Sequence, residues 1–151
     1  MVTFYEGATT LGTGAITAGV ATLTTSALTA KPQTIKATYA GDATFKTSSG
    51  TVQQVVEKYA TTTGLTSNIN PSNYGETVTF TTTVTSAGPA PTGKVWFKDG
   101  TTGIATVTLS GGVGSITKSK LAVGTHSITA EYLGDADSAR STSSVLDQVV
   151  Q

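Results

Sequence analysis

The chain carries one pattern twice, and the two copies are offset by 93 residues: "VTFYEG" from Val2 returns as "VWFKDG" from Val95. At the same offset "GVATLTTSAL" from Gly19 matches "GVGSITKSKL" from Gly112, and "TIKATYAGDA" from Thr34 matches "SITAEYLGDA" from Ser127. The ends, "QQVV" from Gln53 and "DQVV" from Asp147, match after a one-residue slip. A repeated unit of this length must bury the same face in each copy, so the copies can be read against one another. The second copy is preceded by a segment that the first lacks. The organisation expected is a partial unit over residues 1–57 and a complete unit over residues 58–151.

The complete copy reads as about seven short strands with Gly, Asn and Pro turns between them, the pattern of an all-β sandwich. "TTTGLTS" is a first strand and "NINPSNYG" a turn. In "ETVTFTTTVTS", Val78, Phe80 and Val84 share one face, with Thr79, Thr81 and Thr83 opposite. "KVWFK" sends Val95 and Phe97 inward, and Asp99-Gly100 turns a hairpin. "IATVTL", "SGG" and "VGSIT" read as a second hairpin, with a bulge where alternation slips near residues 113–116. "HSITAEY" turns Ile128, Ala130 and Tyr132 to the core, and "LDQVV" closes the unit. Thr supplies about a fifth of the residues, which suits the solvent face of a pleated sheet because its branched Cβ stiffens χ1.

These residues resemble the bacterial immunoglobulin-like domain repeats (group 3) of large surface proteins. The resemblance rests on the "FKDG" turn, "SGGV", "GTHSITAEYLGDA" and "DQVV", and it covers essentially the whole chain. It implies an immunoglobulin-like β-sandwich, tandem neighbours and an extracellular or cell-surface setting. It implies neither catalytic residues nor a cofactor. Lys31-Pro32-Gln33 departs from Gly124-Thr125-His126 at the matching place. The joint "VVEKYA" is too short to behave as a free coil, so successive sandwiches are expected to stack with limited bending.

The opening residues read as a strand already under way, so the first copy is expected to lack its two leading strands. Their counterparts carry Leu65, Val78, Phe80 and Val84. At about 1.5–3 kcal/mol for each fully buried side chain, their loss removes roughly 6–12 kcal/mol, comparable to the whole stability of a small domain. Two readings stay open. In one, residues 1–57 take strands from another chain by exchange or edge addition, giving a homo-oligomer. In the other, the boundary is an expression boundary or a split gene, and the first copy is a poorly folded appendage.

Charge and composition exclude several classes. Lys+Arg 9 balances Asp+Glu 9, so no footprint for nucleic acid or an anionic membrane is present. With Cys 0 there are no disulfides or thiolate metal sites, and no signal peptide or membrane-spanning run is visible. His126 is the single histidine and reads as a structural residue, since Gln33 replaces it in the first copy. Glu131, Asp135 and Asp137 form a weak calcium candidate, but calcium needs six or more oxygens and the first copy offers only Asp42. Asp42 and Asp135 read better as turn residues that accept backbone N–H bonds. Trp96 lies on the outward face of its strand and is the best candidate for contact with a glycan or protein, against a packing role. Tyr59 and Tyr74 are expected near a junction between units. A Lys–Asn cross-link is not expected, because Asn68, Asn70 and Asn73 all sit in one turn.

Overall fold

Strong period-2 alternation and the absence of helix punctuation leave strands as the way to satisfy the backbone, and the computed structural model, which describes all 151 residues, contains strands and turns without a helix. No helix is long and apolar enough to cross a membrane. The chain divides into two compact units, Met1–Glu57 and Lys58–Gln151.

The first unit holds β1 (Val2–Glu6), β2 (Thr9–Gly14), β3 (Ile16–Thr17), β4 (Val20–Ala21), β5 (Pro32–Tyr39) and β6 (Ser48–Val55). Four of these make one antiparallel sheet in the order β2-β1-β5-β6, and β3 and β4 form a separate two-residue ladder. Gly7, at φ 57, permits the left-handed turn that joins β1 to β2. β5 and β6 pair along their whole length, from Pro32↔Val55 to Tyr39↔Ser48.

The second unit holds β7 (Thr61–Ser67), β8 (Val78–Ser86), β9 (Lys94–Asp99), β10 (Thr102–Thr108), β11 (Val113–Lys118), β12 (Gly124–Tyr132), β13 (Ser141–Thr142) and β14 (Leu146–Val150). One sheet runs β10-β9-β12, with β13 and β14 both on the far side of β12. The other runs β11-β8-β7. Between them Val78, Phe80, Val84, Val95, Phe97, Ile116, Ile128, Ala130 and Tyr132 form a continuous buried core. The expected inward faces of β8, β9 and β12 are those observed, and β8 adds Thr82, which is fully buried and donates its hydroxyl to the Gly64 carbonyl at 2.9 Å. The donation satisfies a buried polar group that would otherwise destabilise the core.

Two local expectations need correction. Residues 104–118 do not form a hairpin. β10 pairs with β9, β11 pairs with β8, and the "SGG" turn carries the chain from one sheet to the other. Gly111 and Gly112 (φ 57 and 79) turn this corner, and the Gly112 carbonyl accepts the Val84 N–H at 2.8 Å. The bulge is also elsewhere: β11 pairs regularly with β8, while the register of β10 on β9 shifts between Gly103 and Ala105. The apolar alternation slips in the sequence because Gly114 occupies a core-facing position. A Cβ there would come within 2.8 Å of a Val107 methyl, and Val113 points outward.

The last strand is tied on both edges. β14 pairs with β12 on one side, from Gly124↔Val150 to Ile128↔Leu146. On the other side Ser72 N–H donates to Val149 O, Gln151 N–H to Ser72 O, and Tyr74 N–H to Gln151 O, at 3.0, 2.8 and 2.7 Å. The β7–β8 connection therefore covers the edge that β14 would otherwise leave open.

Candidate functional site

The repeat turns the molecule into its own control. In the second unit Val95, Phe97, Ile128, Ala130 and Tyr132 are all 0% exposed beneath the β11-β8-β7 sheet. Their counterparts Val2, Phe4, Ile35, Ala37 and Tyr39 lie on the same strands of the first unit, and none of them is fully buried. The first unit has no counterpart of β7 or β8. What remains is an apolar groove of about 200 Å³ lined by Phe4, Leu11, Leu23, Leu28, Ile35 and Val52, with Thr25 and Gln54 at its margins. A second hollow of similar size lies along Val2, Ala37 and Tyr39. No charged side chain lines either one.

The edge of this sheet is open as well. Every residue of β6 is exposed, and β6 contains neither a charge nor a proline of the kind that usually discourages further pairing. Its residue Gln54 matches Gln148 of β14. Both donate Nε2 to the next residue's carbonyl, Gln54 to Val55 O at 3.0 Å and Gln148 to Val149 O at 3.2 Å. Gln148 is fully buried, accepts the Ser67 hydroxyl at 2.7 Å and reaches Ser72 Oγ at 3.3 Å. Both serines belong to the β7–β8 ribbon and its connection. Gln54 is exposed and has no such partners.

Two other sites show what each copy conserves. Asp42 Oδ1 accepts the N–H of Thr44 and Phe45, and Asp135 Oδ1 accepts the N–H of Asp137 and Ser138. The second carboxylate oxygen differs. In the second unit it takes the Thr92 N–H and hydroxyl at 2.8 Å each. In the first, with no residue matching Thr92, it accepts the Tyr39 hydroxyl at 2.5 Å. Burial pushes the Asp135 carboxyl upward, but the Thr92, Ser138 and Asp137 hydrogen bonds together outweigh it and hold the group well below the usual carboxylate range. Burial, with the nearby Asp135 charge, pushes the Tyr132 phenol up to about 12.

His126 Nε2 bonds the Ala122 carbonyl at 2.9 Å and Nδ1 meets Asp99 Oδ2 at 2.5 Å. Gln33 repeats the first contact, donating Nε2 to Thr29 O at 2.8 Å. It does not repeat the second. Glu6, the counterpart of Asp99, pairs with Lys31 at 3.0 Å, and the buried Gln33 Oε1 has no partner.

The sequence-marked contact and calcium residues fall on the outward side of β9 and β12 and on the following turn. Trp96 is 38% exposed, with Lys98 Nζ 4.3 Å from its ring centre and Gly103 beneath the indole. Lys98 and Arg140 both bind Glu131, one on each carboxylate oxygen. Of the weak calcium candidates Glu131, Asp135 and Asp137, the first two have other partners. Glu131 is taken by two cations, Asp135 is saturated by Thr92, Asp137 and Ser138 donors, and the three carboxylates do not form a group that could hold a metal ion. Tyr59 packs against Gly88, and Tyr74 is exposed. Sequence reasoning missed the two glutamines, Gln54 and Gln148. The signal was available in the slipped match of "QQVV" with "DQVV".

Two packed antiparallel sheets with this strand order define an immunoglobulin-like β-sandwich module. The chain belongs to the bacterial Ig-like domain family (group 3), whose model matches residues 1–57 and 65–151. Among solved structures it is similar to the fibronectin(III)-like modules of Clostridium thermocellum CbhA. The identity is 23% and the TM-score 0.44, over 59% of this chain and 94% of that one. It is also similar to a chimeric titin Z1Z2 functionalized with a KLER exogenous peptide from decorin, at 15% identity and a TM-score of 0.43, over 100% of this chain and 81% of that one. No curated protein matches.

Proposed function

We propose that this protein is a non-enzymatic spacer module of a bacterial extracellular or cell-surface repeat protein, and that its first unit is completed by strands that residues 1–57 do not contain. The observation that best supports the spacer role is the double tie on β14. Tension along that strand loads the β12 ladder and the Ser72–Tyr74 hydrogen bonds in shear, so many bonds must fail together before the unit lengthens. Sparse, balanced charge leaves such a module without a strong field to attract polyions. The completion reading is supported by the contrast between Phe97, fully buried, and Phe4, left on an open face.

The competing reading, an adhesin or phage-surface module that contacts glycan or protein through Trp96, has weaker support because Lys98 and Gly103 already engage the indole. Stretching the chain from its two ends in a single-molecule force experiment tests the spacer role. The second unit is expected to give one discrete force peak, with residues 1–57 extending at much lower force. Gradual extension of the second unit without a peak would overturn it.

A further inference from the structure

The second unit specifies what fits the groove of the first. There β11 pairs with β8 in antiparallel register, from Val113↔Thr83 to Lys118↔Val78, and β8 delivers Val78, Phe80 and Val84 onto the opposite sheet. Carried back by the repeat offset, β11 corresponds to residues 20–25. Only Val20 and Ala21 of these lie in a ladder, the short one with β3, and residues 22–25 form no strand. The backbone that should hold a β8-like strand is thus in place beside the groove, with residues 22–25 in no ladder and Val20 and Ala21 paired only with β3. Beneath it lie Phe4, Leu11, Leu23, Leu28 and Ile35, and beside it Gln54 lacks the serine hydroxyls that its counterpart binds.

We propose that the groove is a docking site for one kind of occupant: an extended strand, not supplied by residues 1–151 of this or a second copy, with the Val-x-Phe-x-x-x-Val pattern of residues 78–84. This deepens the completion reading and rests on it. The strand pairs antiparallel with residues 20–25, and its apolar side chains cover Phe4, Ile35 and Leu23. A segment ahead of the strand offers Gln54 a hydroxyl. The neutral lining excludes a strand chosen by charge, and its period-2 apolar requirement excludes an amphipathic helix.

The test adds two peptides to the full chain, one copying residues 74–88 and one copying residues 60–88, and follows amide hydrogen exchange residue by residue. Saturable binding is expected, with exchange across residues 20–25 slowed at least about tenfold and the second unit unchanged. A 74–88 peptide with Val78, Phe80 and Val84 all changed to Ser should not bind. Gln54→Leu should weaken the longer peptide, which carries the serines, by about tenfold and leave the shorter one unaffected. Equal binding of the Ser-substituted peptide, or protection confined to β6, overturns the proposal. So does a concentration-dependent dimer that already protects residues 20–25, because the occupant is then a second copy of this chain. If residues 1–57 resist protease as part of a monomer with no peptide added, the completion reading itself fails.

Discussion

His126 Nδ1 and Asp99 Oδ2 lie 2.5 Å apart across the β9–β12 pair, while the other ring nitrogen faces the Ala122 carbonyl. Both nitrogens therefore meet acceptors, which only the protonated ring can satisfy together. The Ala122 hydrogen bond, then the Asp99 carboxylate, raises the His126 pKa above its ordinary value. A raised histidine pKa gives stability that is fully present below the unfolded value of about 6.5 and is lost as pH rises through the higher folded value. Urea unfolding of the second unit, followed by Trp96 fluorescence, should show its midpoint falling as pH rises above about 6.5. His126→Gln copies Gln33. It should keep the Ala122 contact, preserve the fold and flatten that dependence. An unchanged slope in the variant would refute the assignment.

Asp135 gives the opposite sign at the acid end. Its carboxyl pKa is depressed, so its stabilisation is present above about 3.9 and is lost as pH falls through the lower folded value. Asp135→Asn keeps an acceptor for Ser138 and Asp137 but can turn an N–H toward the Thr92 donors. The expected cost at neutral pH is about 1–2 kcal/mol, limited by solvent access, with a shallower loss of stability below about pH 4. Chemical denaturation across an acid pH series measures both. Equal acid sensitivity in wild type and variant would remove Asp135 as the source.

Phe97 and Phe4 occupy the same place in the repeat but not the same surroundings. Phe97→Ala opens a cavity in a closed core and should cost about 3–5 kcal/mol. Phe4→Ala removes a side chain from a face already partly wet and should cost only about 1 kcal/mol. Amide exchange in β1 and β5, set beside that in β9 and β12, compares the two. Equal penalties would mean that the first unit closes as tightly as the second.

The alternation of residues 78–84, 95–97 and 128–132 was enough to assign the core, because a half-buried strand writes its burial into every second residue. Partnering was harder. "IATVTL" and "VGSIT" look like hairpin arms, but Leu109 buries at the corner and Gly111-Gly112 send the chain to the other sheet. Periodicity records which face is apolar and carries no information about which neighbour is bonded. The open groove was legible only through the repeat, which identified the missing counterparts of Val78 and Phe80. The roles of Gln54 and Gln148 were not legible, because a glutamine's burial depends on hydroxyls about 80 residues away in sequence, at Ser67 and Ser72.

Trp96 discriminates between a spacer and a contact module. Its indole is held between Lys98 and Gly103, and Lys98 is itself anchored by Glu131. A ring so engaged stabilises the outer surface of β9 and β10, with the cation–π contact contributing about 0.5–1 kcal/mol at an exposed site. Trp96→Ala should therefore lower stability by roughly 1 kcal/mol, because packing over Gly103 is lost as well. Since the variant removes the fluorophore, circular dichroism follows the unfolding. Retention on glycan arrays and host-cell surfaces should be the same for variant and wild type. Loss of retention with folding intact would move Trp96 from a packing residue to a contact residue and favour the binding module over the spacer.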